Sequence, residues 1–166
     1  MTAKQEYAIC KVVGAIPDEQ RDAFREIAEY AVSLGYMPIL KGAKESYVDF
    51  TKGKIKRTIL KIATDKKLPP WLAIKFYAMP EYTGIFREGV RDRVGLLEQM
   101  EISVRCWGCG KCDGTQGYTY ELTEGRKGFL CGNGLIPLPA FGAGNVSEVK
   151  AAMRVQDEYF MTLFCE

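Results

Sequence analysis

The chain has 166 residues, 47% of them hydrophobic and 27% charged, with a net charge of +2. This is the balance of one globular core burying about 70% of the unfolded surface, and it excludes a disordered chain or a strongly charged binder. There are no histidines, which excludes Ser-His-Asp and Cys-His catalysis and imidazole metal ligands and turns the expectation away from an enzyme.

Taken in chain order, residues 3–12 read as a short helix, with Thr2 as N-cap and Gln5 completing a capping box; alternation there also permits a strand. No basic leader followed by an apolar run opens the chain, and the longest apolar stretch, WLAIKFYAM, is too short to span a bilayer. The expectation is a cytoplasmic protein with reduced thiols and no membrane partner. Pro17 reads as the first turn of a second helix, with Asp18 and Glu19 at the positive end of its dipole. Phe24, Ile27, Ala28, Ala31 and Leu34 form its apolar stripe, and Gly35 closes it.

From Tyr36 to Met79 the texture turns to β. SYVDFT, RTILKIAT and WLAIKFYAM read as three strands, with a Lys52-Gly53 turn after the first and a hairpin loop over 65–70 after the second. In the last strand Leu72, Ile74, Phe76 and Ala78 share one face, and Trp71, Lys75 and Tyr77 the other. Pro80 ends that strand and Thr83 caps a third helix striped by Phe86, Val90, Val94 and Leu97. Gly89 and Gly95 weaken this helix by about 1 kcal/mol each relative to Ala, unless close packing on a sheet requires them.

The segment Cys106-Trp-Gly-Cys109-Gly-Lys-Cys112 spaces three thiols two residues apart, with glycines that permit tight turns toward a common centre. GYTYELTEGRKGFLC then reads as a hairpin. A turn at Glu124-Gly125 pairs Cys131 with Tyr118 and returns the fourth thiol to the knuckle. Cys106, Cys109, Cys112 and Cys131 are therefore expected to form one cluster. A closed four-thiolate zinc site is favoured, with a [4Fe–4S] cluster, metal-free thiols or a redox dithiol as alternatives. Cys10 and Cys165 read as small core hydrophobes. IPLPAFGAGN reads as a linker, and its GAGN as a chance likeness to a phosphate loop. Asn145 or Ser147 then caps a last helix carrying Val149, Met153, Gln156, Phe160 and Leu163.

Two further features bear on function. Residues 52–67 hold seven Lys or Arg against one Asp. A lysine-protected edge strand and turn explains them better than a nucleic-acid surface, so nucleic acid is an unlikely partner. Tyr36, Tyr47, Phe50, Trp71, Tyr77 and Tyr82 surround the predicted sheet and either fill the core or line a pocket between sheet and helix. Tyr36, Tyr47, Trp71, Lys75 and Tyr77 are the candidate ligand-binding residues. Glu45, Asp49, Glu81 and Asp92 lie nearby without the spacing of an acid-base couple.

The fold class is α+β: a mainly antiparallel sheet flanked by helices over 1–104, a knuckle-and-hairpin cysteine subdomain over 105–140, and a C-terminal helix over 141–166 packing on the main domain. The run of a short helix, I-P-D-E-Q-R-D-A-F-R-E-I, Gly35-Tyr36-Met37-Pro38 and a meander resembles the small YdhG-like bacterial domains over about residues 4–97. That resemblance implies a TBP-like or helix-grip α+β fold and a small-molecule or partner-binding role. The tail from 106 onward is similar to a cysteine-containing extension on uncharacterised proteins of anaerobic Gram-positive bacteria. Neither resemblance implies catalytic residues.

Overall fold

A computed structural model describes residues 1–64, 69–75, 84–99, 117–121 and 127–164. Two helices come first, α1 (Ala3–Val13) and α2 (Asp18–Ser33), then the strands β1 (Met37–Lys41), β2 (Tyr47–Lys52), β3 (Arg57–Ala63) and β4 (Trp71–Ile74). Helix α3 (Gly84–Gln99) follows, then β5 (Gly117–Glu121), β6 (Lys127–Cys131), the short β7 (Ile136–Leu138) and helix α4 (Val146–Phe164). The architecture is α+β, with an antiparallel sheet in the order β1-β2-β3-β4-β7 and a separate β5-β6 ladder.

Local sequence explains the first two helices. Thr2 and Gln5 close the capping box of α1, each bonding the other's backbone N–H, so two orphan donors are satisfied and helix wins over strand. Pro17 stands one position before its expected place. Its ψ of 143° is extended, so it is the N-cap residue and the helix begins at Asp18. Gly35 adopts φ +88° just past the end of α2, a conformation glycine reaches without a Cβ clash.

The sheet registers put the apolar residues into two continuous rows. Leu40, Val48, Ile62, Leu72 and Leu138 face one another across the five strands, and so do Pro38, Phe50, Leu60, Ile74 and Ile136. Because side chains alternate along a strand, both rows lie on one face. They join Ile9, Phe24, Ile27, Met153 and Phe160 of the helices in a single core. The opposite face carries the rows Lys41, Tyr47, Ala63, Trp71 and Ile39, Asp49, Lys61, Ala73, Pro137. Asp49 lies between Lys41 at 3.0 Å and Lys61 at 3.4 Å, and Lys61 also stacks 4.4 Å over the Tyr47 ring.

Three readings are corrected here. The basic strip is not an edge: β3 is paired on both sides, and the edges are β1 and β7. The supposed linker contains a strand, since Ile136 and Leu138 bury against β4 while Pro137 points outward at the edge, where a missing N–H is tolerated. Leu163, at the far end of the α4 stripe, is 41% exposed, whereas Val149, Met153, Gln156 and Phe160 are buried. Within the predicted strand WLAIKFYAM, β4 ends at Ile74 and Lys75 follows it; Phe76, Tyr77, Ala78, Met79 and Pro80 lie outside the described residues. So do the Thr83 cap and most of the 65–70 loop.

Helix α3 is held at two points. Gly89 touches β7: a Cβ there would meet the Pro137 carbonyl oxygen at 2.5 Å. At its start, the Glu148 carboxylate from α4 accepts the Ile85 backbone N–H, while its Oε1 is buried without a hydrogen-bond partner among the described residues. Burial first, then the charge of Glu88, raises the Glu148 pKa above its ordinary 4.5. The folded state therefore holds this proton more tightly than the unfolded chain. Its contribution is full below about pH 4.5 and is lost as pH rises through the folded value. Glu148→Gln should accordingly melt higher than the parent at pH 7, with the difference shrinking toward pH 4.5. Equal shifts at both pH values would refute the assignment.

Candidate functional site

Of the four cysteines expected to cluster, Cys131 is the one among the described residues. Cys131 closes β6 as a free, half-buried thiol, and its Cα pairs with Gly117. The register differs by one residue from the predicted Tyr118 partner, because five residues connect Glu121 to Lys127 and the turn centres one half-step earlier. Cys131 still stands at the open end of the hairpin, opposite Gly117, which is five residues in sequence from Cys112. That bounds the Gly117–Cys112 Cα separation at about 18 Å. Cys106, Cys109 and Cys112 lie outside the described residues, as do Cys165 and the Glu124-Gly125 turn. Among the described residues, no three Cys, Asp or Glu converge on a metal-sized centre.

Gly117 is required at this end. A Cβ there would lie 2.4 Å from the Leu130 carbonyl oxygen and 2.6 Å from the Phe129 ring, so strand and ring close over it. The hairpin is not a detached unit. Leu130 belongs to the common core, and Tyr120 packs against it. Burial and then the charge of Glu98 on α3 push the Tyr120 phenol up. On the other side, the turn after Cys131 is tied to the main sheet. Lys75, 9% exposed just past β4, donates from Nζ to Asn133 Oδ1 at 3.2 Å.

The five candidate ligand residues fall in different places. Tyr36 is fully buried in the core, and its hydroxyl donates to Asp157 Oδ1 at 2.8 Å. Lys52 Nζ reaches the same oxygen at 2.6 Å and stacks 4.7 Å from the Tyr36 ring. Tyr47 lies under Lys61 on the polar face. Lys75 holds the Asn133 turn, and Tyr77, like Tyr82, lies outside the described residues. Trp71 is different: it lines a cavity of about 400 Å³ between α3 and the β4–β7 edge, with Arg93, Leu96, Pro137 and Pro139. Neither Tyr36 nor Tyr47 borders that space. Its α3 contributors had one faint sequence signal, since Leu96 is an apolar residue flanking the Phe86–Leu97 stripe.

Two remaining readings resolve clearly. Cys10 is not a core hydrophobe. It lies on the exposed side of α1, where its thiol donates to Glu6 Oε1 at 3.1 Å and accepts from Arg25 Nη2 at 3.3 Å. GAGN forms a single turn, Ala143–Asn145, in which Asn145 Oδ1 accepts the Gly142 N–H, leading into α4. Among the described residues, no helix is long and apolar enough to cross a membrane. No protein-family model, curated protein or solved structure matches the chain.

Proposed function

We propose that this is a binding or regulatory protein whose hairpin end is locked by a structural zinc ion held by Cys106, Cys109, Cys112 and Cys131. The observation that carries this reading is the position of Cys131: a free thiol at the open end of β5–β6, opposite Gly117, which follows the C-x2-C-x2-C run by five residues. Four thiolates give zinc a closed tetrahedral shell with no open position for substrate, which suits a structural site. The Lys75–Asn133 bond and the burial of Leu130 link that end to the main sheet, so metal binding there would stabilise more than the hairpin. The absence of imidazole from the chain, and of a paired acid-base couple among the described residues, favours binding over catalysis, as does the resemblance to small binding domains.

Metal analysis with a visible spectrum of anaerobically purified protein tests this. One zinc per chain without visible absorbance is expected, and Cys131→Ser should lower zinc retention and speed amide exchange across Gly117–Cys131. Visible charge-transfer bands would replace zinc with an iron–sulfur cluster and a redox role for the same thiols. A metal-free protein whose exchange is indifferent to chelator would overturn the proposal. The nucleic-acid reading is weaker, because Lys52 and Lys61 of the basic strip are already paired with Asp157 and Asp49.

A further inference from the structure

We propose that the cavity between α3 and the β4–β7 edge binds a small aromatic monocarboxylate. Its volume of about 400 Å³ lies within the ~300–1,000 Å³ typical of ligand sites. The walls are apolar and flat. The indole of Trp71 and the rings of Pro137 and Pro139 border the space, and Leu96 stands over it from α3. Leu96 is 46% exposed, an apolar side chain on a helix whose other large apolar residues are buried. A planar ring seated here would take Leu96 and Trp71 out of water and stack on the indole.

The walls are also preformed. The contact of Gly89 with the Pro137 backbone fixes the spacing of α3 from β7, and proline rings have few conformations to lose. Little ordering is then left to oppose binding.

Charge decides the ligand class. Two ionic side chains reach the lining, Asp92 and Arg93. Asp92 faces Arg91, with Oδ1 3.9 Å from Nε, and is 58% exposed. Arg93 is half-buried, and among the described residues no carboxylate pairs with it. A guanidinium with no carboxylate partner among the described residues, set beside an apolar wall, offers a planar fork that a carboxylate satisfies in bidentate fashion. The neighbouring Asp92 charge selects against a second anionic group on the same ligand. Cys131 is not part of this lining, and the ligand does not depend on a metal at that thiol.

Calorimetric titration of the full chain with 3-phenylpropionate and its uncharged amide, 3-phenylpropanamide, tests the inference. The carboxylate should bind saturably with Kd between about 10 µM and 1 mM. Arg93→Met should weaken it about tenfold while leaving the amide within twofold, the difference expected for a hydrogen-bonded charge. Trp71→Leu should weaken both, and Arg93→Lys should recover part of the carboxylate preference. Melting curves confirm that each variant is folded. No saturable heat with the parent protein up to about 10 mM would overturn the proposal. So would a folded Arg93→Met protein that binds the carboxylate as well as the parent does.

Discussion

Replacing Asp157 with alanine should destabilise the protein by about 2–4 kcal/mol, measured by denaturant unfolding at pH 7. Asp157 Oδ1 receives both Lys52 Nζ at 2.6 Å and the Tyr36 hydroxyl at 2.8 Å. The ion pair is largely shielded, with side-chain exposures of 14% for Lys52 and 15% for Asp157. Exposed pairs contribute little because water screens them and would replace them. Here the alanine variant leaves a shielded ammonium and a buried phenol without an acceptor, and the unmet desolvation sets the size of the loss. Lys52 also stacks on the Tyr36 ring at 4.7 Å, so the three groups act as a unit and single losses will not add. Asp157→Asn keeps an acceptor for Tyr36 but removes the charge, and should fall between the parent and Asp157→Ala. The double variant Lys52→Met with Asp157→Leu should recover part of the loss, because it removes both charges together but still leaves the Tyr36 hydroxyl without its acceptor. A loss below about 0.5 kcal/mol for Asp157→Ala would show that the network is idle.

The same network carries an alkaline signature. Burial first, then the hydrogen bond to Asp157, hold the Tyr36 phenol far above its ordinary 10.0. The folded protein therefore keeps this proton where the unfolded chain has released it. Stability contributed by Tyr36 is full below about pH 10 and declines as pH rises beyond it. Tyr36→Phe should show a shallower alkaline decline than the parent.

How much of this was legible in the sequence depends on how local each cause is. The α1 capping box and the stop at Gly35 are fixed by residues three or four apart, and they form where expected. The strands SYVDFT and RTILKIAT also appear, because alternation is a property of the strand itself. β7 was not legible. Its Pro137 and Pro139 read as breakers, and only pairing with β4, more than 60 residues earlier, makes Ile136–Leu138 a strand. β1 was hidden by Pro38 in the same way; it reads as a strand once β2 supplies its partner. Lys52 shows the converse for charge: its partner Asp157 is 105 residues away, so a run that reads as a lysine-protected edge strand and turn is partly neutralised from α4.

The candidate site divides along the same line. The proximity of Cys131 to the start of the hairpin followed from turn logic, and only the register moved, by one residue. Trp71 was singled out, but Arg93 and Leu96 were not. They meet Trp71 only because α3 packs against the β4–β7 edge, and neither carries a motif. Gly89 did carry a signal, as an otherwise unfavourable residue inside a striped helix. Two glycines in α3 shared that signal, and only the tertiary contact distinguishes them.

That distinction sets up opposite outcomes for one substitution at two positions six residues apart. Gly95→Ala should stabilise the protein by up to about 1 kcal/mol, because a Cβ there meets none of the described residues within 4 Å and alanine narrows the unfolded ensemble. Gly89→Ala gains the same helix propensity but places its Cβ 2.5 Å from the Pro137 carbonyl oxygen and 3.1 Å from Ile136 Cγ2. The first contact is backbone, so no rotamer change relieves it, and either α3 or β7 must move. Overpacking of this kind costs about 1–3 kcal/mol, and a bulkier residue more. After the propensity gain, Gly89→Ala should lose about 1–2 kcal/mol and Gly89→Val about 3 kcal/mol or more. Because β7 is a three-residue edge strand held by β4 on one side, it is the element that should yield. Amide exchange should then accelerate at Ile136 and Leu138 before it does in β2 or β3. Stabilisation by Gly89→Ala comparable to that of Gly95→Ala would mean that α3 does not approach β7 this closely. The preformed wall of the Trp71 cavity would fall with that contact.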